Sequence, residues 1–472
     1  MTSRRKGVTR RQFLQQSATA AGAAGLFTIL TPRESAAQQW SLATAAQPYR
    51  GARLRVMSAS APYVEELKKQ LPDFAKETGI EVRLDTMSYQ LFVQRADLEM
   101  SGGSSSYEAM MMMFTHVGRW VDVGWVQSLT PYIDNPKLTN KAALDLADFS
   151  QPAIRNYTRG KDLYALPYMA NSTLLMYRSD VFEKFGIKQP PATFEELMEV
   201  AKKIHTPEVA AFVSRGNPAS PHLSYVWSNY CLGFGGRFFK NPPENLTPVL
   251  NSSQAIKAAE YYATLMTKYG VPGSTNYAID EAVQAMQQGK AAMTIDSIDV
   301  LSPILVKEKS LVADKVKVAM IPKGPGGQFP MVVFHGLMIP KGSPNKEAAW
   351  LFIQWATSKD RMTKVATQSD DGEAARDSVY SSAPIQRRFM WNGVDAGALM
   401  NQVQALATKE NYMNFRQVTF FQAVGDRVGV AIQEIMTGKR SAKEAMEACN
   451  ADLVNIVKRG GGKINEADLI RS

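Results

Sequence analysis

Short apolar runs alternate along the chain with stretches whose apolar residues recur every three or four positions, the pattern of strands interleaved with one-sided helices. Leu54-Arg55-Val56-Met57 predicts a strand. Val64, Leu67, Leu71, Phe74 and Ala75 predict the helix after it, kinked or divided at Pro72. Residues 80–84 form the next predicted strand, and residues 109–114 are continuously apolar, as in a parallel strand buried on both faces. The methionines of that run, Met110 to Met113, suit irregular core gaps better than a ligand cage.

Helix boundaries are also legible. Thr193 with Glu196, and Ser441 with Glu444, have the spacing of capping boxes, and Ser343-Pro344 predicts another helix start. Gly186, Gly270, Gly289 and Gly438 are expected to end helices in the left-handed conformation. The class is α/β, without an internal repeat, and the proline- and glycine-rich residues 321–330 read as a connection between lobes.

The first forty residues break this pattern. Thr9-Arg10-Arg11-Gln12-Phe13-Leu14 matches a twin-arginine export signal, and behind it lies a mildly apolar run over residues 18–30, shorter than the ~20 residues a membrane span requires. Ser35 and Ala37 suggest cleavage after Ala37, with Ala43 and Ala45 marking a second option. No cysteine near either site offers a lipid acceptor, so the expected product is a soluble protein of a Gram-negative periplasm.

Residues 1–37 hold six of the basic residues against one acid and carry half of the formal net charge of +10. The other basic residues are interspersed with acids, which argues against a nucleic-acid partner. Beyond the signal, the chain is too long for one compact core and suits two lobes of about 200 residues each. Cys231 and Cys449 could be buried thiols or one disulfide, and the spacing leaves both open.

Enzymatic signatures are missing. The chain has no G-x-S-x-G, P-loop, G-x-G-x-x-G or H-E-x-x-H motif, and its four histidines, His116, His205, His222 and His335, form no local metal motif. No catalysis, metal or cofactor is therefore expected.

Several segments, in order, resemble the extracellular solute-binding proteins of the family that includes maltose- and trehalose-binding proteins. They are Leu71-Pro72-Asp73-Phe74 through Gly79-Ile80-Glu81-Val82, Trp120-Val121-Asp122 through Thr130-Pro131-Tyr132-Ile133, Leu163-Tyr164-Ala165-Leu166-Pro167-Tyr168, Leu175-Met176-Tyr177-Arg178 and Pro191-Ala192-Thr193-Phe194-Glu195-Glu196-Leu197. Further landmarks are Gly235-Gly236-Arg237-Phe238-Phe239, Gly289-Lys290-Ala291-Ala292-Met293 and Ala348-Ala349-Trp350-Leu351-Phe352-Ile353. The resemblance implies a two-lobed periplasmic binding protein fold, each lobe a mostly parallel sheet flanked by helices, with a hinge between them. Lobe 1 is expected over residues 48–165 and 322–372, and lobe 2 over residues 166–321 and 373–472. It further implies a monomer that captures a sugar or small oligosaccharide by hinge closure and delivers it to the transmembrane permease of an ABC importer. An acidic sugar, a glycerol phosphate or a polyamine stays open as ligand, as does a periplasmic carbohydrate-active enzyme as the overall role.

In open α/β sheets ligands bind beyond the carboxyl ends of strands. That rule selects Thr115 and His116, Asp296, whose carboxylate can accept two hydroxyl groups, and His335 with Gly336, where a missing side chain would admit backbone amides to the ligand. The crossover adds Tyr168 and Asn171, and the segment from His222 adds Tyr225 and Trp227 for stacking, with core packing as their alternative role. Ala375-Arg376-Asp377-Ser378-Val379 is similar to a family segment whose arginine reaches the ligand, and Phe421 falls where relatives place a stacking ring. On this reading, substituting Asp296 or Arg376 abolishes binding and leaves the unliganded protein stable. The sequence departs from close relatives at Ser297-Ile298, where an aromatic is common, and at His116, where relatives often have a carboxylate or amide.

Overall fold

The computed structural model describes residues 40–218, 222–369, 372–410 and 412–469. The twin-arginine segment and the first cleavage option lie outside the described residues. Among the described residues, eight strands join in one sheet: β1 (Arg53–Ala59), β2 (Glu81–Met87), β3 (Ala109–Met113), β4 (Leu166–Arg178), β5 (Ala210–Phe212), β6 (Ala291–Ser297), β7 (Val316–Ala319) and β8 (Val332–Met338). Their order is β2-β1-β3-β8-β4-β6-β5, with β7 also paired to β4.

Strand β4 organises the molecule. Its residues 166–172 pair with β8, and residues 173–178 pair with β6 and β7, so one buried strand serves the sheets of both lobes. The flanks are parallel, β2 and β3 on β1 and β5 on β6, whereas every pair made by β4 or β8 is antiparallel. Residues 321–330 connect β7 to β8, leading from one half of β4 to the other. No helix of the described residues is long and apolar enough to cross a membrane.

The helices arise from local chemistry. Pro72 divides the first predicted helix into α1 (Pro62–Lys69) and α2 (Leu71–Thr78), and Gly79 ends α2 at φ 73°. Next come α3 (Tyr89–Ser101), α4 (Val117–Asp122), α5 (Phe194–Ile204) and α6 (His222–Gly233). Thr193 accepts the Glu196 N–H at 3.1 Å to cap α5, while the Glu196 carboxylate reaches the Ala192 N–H, one residue earlier than a capping box requires. The helix predicted from Ser343-Pro344 begins later, as α7 (Lys346–Ala356). After it come α8 (Ala396–Glu410), α9 (Phe421–Met436) and α10 (Ala442–Arg459), the last with its complete Ser441/Glu444 box. Gly186, Gly289 and Gly438 adopt positive φ as expected; Gly270 does not and instead forms an isolated parallel bridge with Phe212. Cys231 on α6 and Cys449 on α10 are buried free thiols.

Candidate functional site

The carboxyl ends of five strands converge on one cleft of about 440 Å³. Ser60 to Pro62 follow β1, Tyr89 follows β2, Phe114 and Thr115 follow β3, and Arg215 follows β5. Ser297 and Asp299, at and beyond the end of β6, complete this rim. Tyr225 on α6, Arg416 before α9 and Phe421 at the start of α9 close the other side, and Met111 and Met113 of β3 contribute to the floor. The β3 methionines therefore pack the core and shape the cleft at once, because successive side chains of a strand face opposite ways.

Of the residues predicted from sequence, Thr115, Tyr168, Tyr225, His335 and Phe421 line this cleft. The other six are placed elsewhere. His116 is buried beside Trp120, its Nδ1 3.0 Å from Thr115 Oγ1 and the rings 4.9 Å apart. Asn171 is buried one layer behind, donating to Glu373, which does line the cleft. Trp227 is core: it packs on Phe238, which stacks on Phe415 at 4.3 Å, and only Phe421 at the end of that series reaches the cleft. Gly336 sits at an irregularity in the β8–β4 ladder, where an added Cβ would come within 2.9 Å of Ala165 Cβ, so close packing, not ligand approach, excludes a side chain.

Asp296 and Arg376, named from sequence as ligand contacts, are not among the residues lining the cleft. Asp296 receives Arg215 Nε at 2.8 Å and a second bond from Nη2, both side chains being buried, and also accepts the Ser297 N–H at 2.7 Å. Burial works against the Arg215 charge, and Asp296, through charge and hydrogen bonding, together with Asp299 and Tyr225, more than offsets it, holding the guanidinium protonated. Arg376 is a fastener outside the cleft. It donates to the carbonyls of Thr357, Leu144 and Asp145, pairs with Asp148 at 3.1 Å and lies 3.7 Å from the Phe149 ring centre. A side chain so fully engaged has little left for a solute.

Sequence reasoning missed Arg215, Glu373, Tyr89 and Arg416. Arg215 lies just past the short strand β5, where the strand-end rule would have found it had that strand been recognised. Arg416 sits in a single 3₁₀ turn with no periodic signal. Its guanidinium donates to the Val332 carbonyl at 3.0 Å and to the Met331 sulfur, and lies 5.2 and 5.3 Å from the rings of Phe114 and Tyr225. Among the described residues no carboxylate lies within ion-pair distance of it, and burial lowers its pKa to about 10, so it remains a cation at neutral pH.

The titratable groups around it complete the chemistry. Burial drives His335 down to about 4, leaving a neutral imidazole whose buried Nδ1 has no hydrogen-bond partner. Burial also pushes Tyr89 up to about 12, so its hydroxyl keeps its proton. Arg416 supplies donors, the carboxylates of Glu373, Asp280 and Asp299 supply acceptors, and Tyr225 and Phe421 add apolar ring surface. Hydroxyl groups, which both donate and accept, are matched by such a lining.

Comparison with known proteins agrees with this architecture. The chain is 22% identical over 421 residues to the erythritol/L-threitol-binding protein of Mycolicibacterium smegmatis, covering 86% of this chain and 87% of that protein. It is 25% identical to the mannitol-binding protein of Pseudomonas aeruginosa, covering 78% and 84% respectively. The fold matches the crystal structure of an ABC transporter solute-binding protein from Agrobacterium radiobacter in complex with ribitol, with a TM-score of 0.75, 24% identity and coverage of 85% of this chain and 98% of that one. Residues 58–363 match the family described as bacterial extracellular solute-binding protein, and the chain belongs to that family.

Proposed function

We propose that this protein is the solute-binding subunit of an ABC importer and captures a small polyhydroxylated solute, a sugar or sugar alcohol, in the cleft between its lobes. The observation that carries this reading is the pairing of an acid-free guanidinium, Arg416, with carboxylate acceptors and aromatic rings around one cavity of about 440 Å³. That volume is near the low end of the roughly 300–1,000 Å³ common for small-molecule sites, which suits a monosaccharide-sized ligand better than a long oligosaccharide. Relatives named for erythritol, threitol and mannitol binding support the same class.

Binding, rather than turnover, is the proposed role. The two lobes are hinged where β4 passes between their sheets, residues 166–172 pairing in the first and residues 173–178 in the second, and closure presents the liganded form to the permease. The twin-arginine segment would send the folded chain to the periplasm. A cationic solute such as a polyamine is the second reading, favoured by Asp280, Asp299 and Glu373 beside Tyr225 and opposed by Arg416.

A thermal-shift screen of the mature protein against alditols, monosaccharides, sugar acids and polyamines separates these readings. A ligand at 100 times its dissociation constant stabilises by about 2.7 kcal/mol. Shifts with alditols or neutral sugars support the proposal; a shift confined to polyamines would replace it with the second reading, and release of a product would make the protein an enzyme.

A further inference from the structure

A second cavity, of about 450 Å³, lies on the outer edge of the sheet at β2 and shares no lining residue with the ligand cleft. It gathers four cations from four elements: Arg55 from β1, Lys68 from α1, Arg83 from β2 and Arg95 from α3. Asp85 is the only acid among the described residues that line it. Both oxygens of Asp85 are already used, one by Arg55 Nη2 at 2.8 Å and the other by Arg83 Nε at 2.8 Å.

Protection of an exposed strand edge accounts for part of this charge. Among the described residues β2 pairs only with β1, and charged side chains such as Arg83 and Asp85 deter further strand pairing. Edge protection does not require Lys68 and Arg95, which reach the same cavity from two separate helices. Arg95 makes no ion pair among the described residues, and the nearest acid to Lys68, Glu65, is 4.0 Å away. Glu99, which also acts on Arg55, is engaged by the Ser106 N–H at 3.0 Å.

The geometry adds a second observation. Arg55 and Arg95 lie 4.5 and 5.8 Å from the centre of the same Tyr107 ring, so two like charges share one buried platform. The Tyr107 hydroxyl receives Arg55 Nη2 at 3.1 Å, and Arg55 Nε is buried without a hydrogen-bond partner. Convergent guanidinium groups on a fixed platform, with one shared carboxylate, are suited to an oxyanion that several donors can grip together.

We propose that this cavity is a second binding site, for a phosphate-type oxyanion, built by Arg55, Lys68, Arg83 and Arg95 around Asp85 and Tyr107. The site is independent of the solute cleft, and its occupant can be free phosphate or the headgroup of an anionic phospholipid at the membrane surface.

The test uses the mature protein with two probes at matched ionic strength: inorganic phosphate followed by calorimetry, and phosphatidylglycerol vesicles set against phosphatidylcholine vesicles in co-sedimentation. Arg95→Gln and Lys68→Gln remove cations outside the Asp85 network, so the fold is retained. Saturable phosphate binding weakened at least about tenfold by both variants supports a free-ion site. Binding only to phosphatidylglycerol vesicles, weakened likewise, supports the same site with a lipid source. No saturable binding to either probe, or binding that both variants leave unchanged, overturns the proposal.

Discussion

A carboxylate and a guanidinium joined by two hydrogen bonds away from water are strongly coupled, because removing either leaves the other as a buried, uncompensated charge. Asp296→Ala exposes Arg215 to that penalty and is expected to destabilise the unliganded protein by ~3–5 kcal/mol, read from the unfolding midpoint. Arg376→Ala, which frees Asp148 and three carbonyls, should act in the same direction. An unchanged midpoint in both variants would return these residues to the ligand-binding role assigned from sequence. His116 gives a pH prediction. Its pKa of about 4 in the folded protein, set by burial and by Arg119, lies below the 6.5 of an unperturbed histidine. The unfolded chain therefore takes up the proton first, so this contribution is intact above pH 6.5 and is lost as pH falls from 6.5 to 4, at up to ~1.4 kcal/mol per pH unit. Thermal melts across that range should show a steeper acid loss for the native chain than for His116→Gln; parallel curves would contradict it. Thr115 and His335 were legible from the carboxyl-end rule, and Tyr168 from the crossover segment. Which charges pair was not: Arg215 and Asp296 are far apart in sequence, and pairing is decided only once β5 and β6 lie side by side.

At the level of elements, β4 and β8 carry the molecule's central constraint. Gly336 lies where their register shifts, with Tyr157 and the Leu166 carbonyl 3.0 and 3.1 Å from the position of an added Cβ. Gly336→Ala is therefore expected to overpack the ladder and cost ~1–3 kcal/mol, lowering the melting temperature; a neutral substitution would show that the bulge has room to relax. Periodic elements such as α1, α2 and α10 announce themselves because one face must be apolar; the Ser441/Glu444 box then fixes the start of α10, and Pro62 and Pro72 stand in the first turns of α1 and α2. β5 and the turn holding Arg416 are three residues each, too short for any period to be counted. Gly270 shows the converse error: a glycine after a helix suggests the usual left-handed cap, whereas this one pairs with Phe212 and has no positive φ.

At the scale of the whole molecule, the two halves of one sheet, joined through β4, bring strand ends to one cleft, and the chemistry of that cleft is set by residues remote in sequence. Length and alternation made the α/β class readable, and ordered landmark segments made the two-lobed family readable. The ligand was less so, since the residues with the clearest chemical character, Asp296 and Arg376, are engaged in structural bonds, while Arg416 carries the free donors. Isothermal titration of the mature protein with mannitol, ribitol and erythritol, repeated with Arg416→Gln, tests the central claim most directly. One site per chain for at least one of these alditols, with affinity at least about tenfold weaker in the variant, is the predicted result. Absence of binding by all three, or equal affinity in the variant, would contradict a polyol-binding cleft anchored by Arg416.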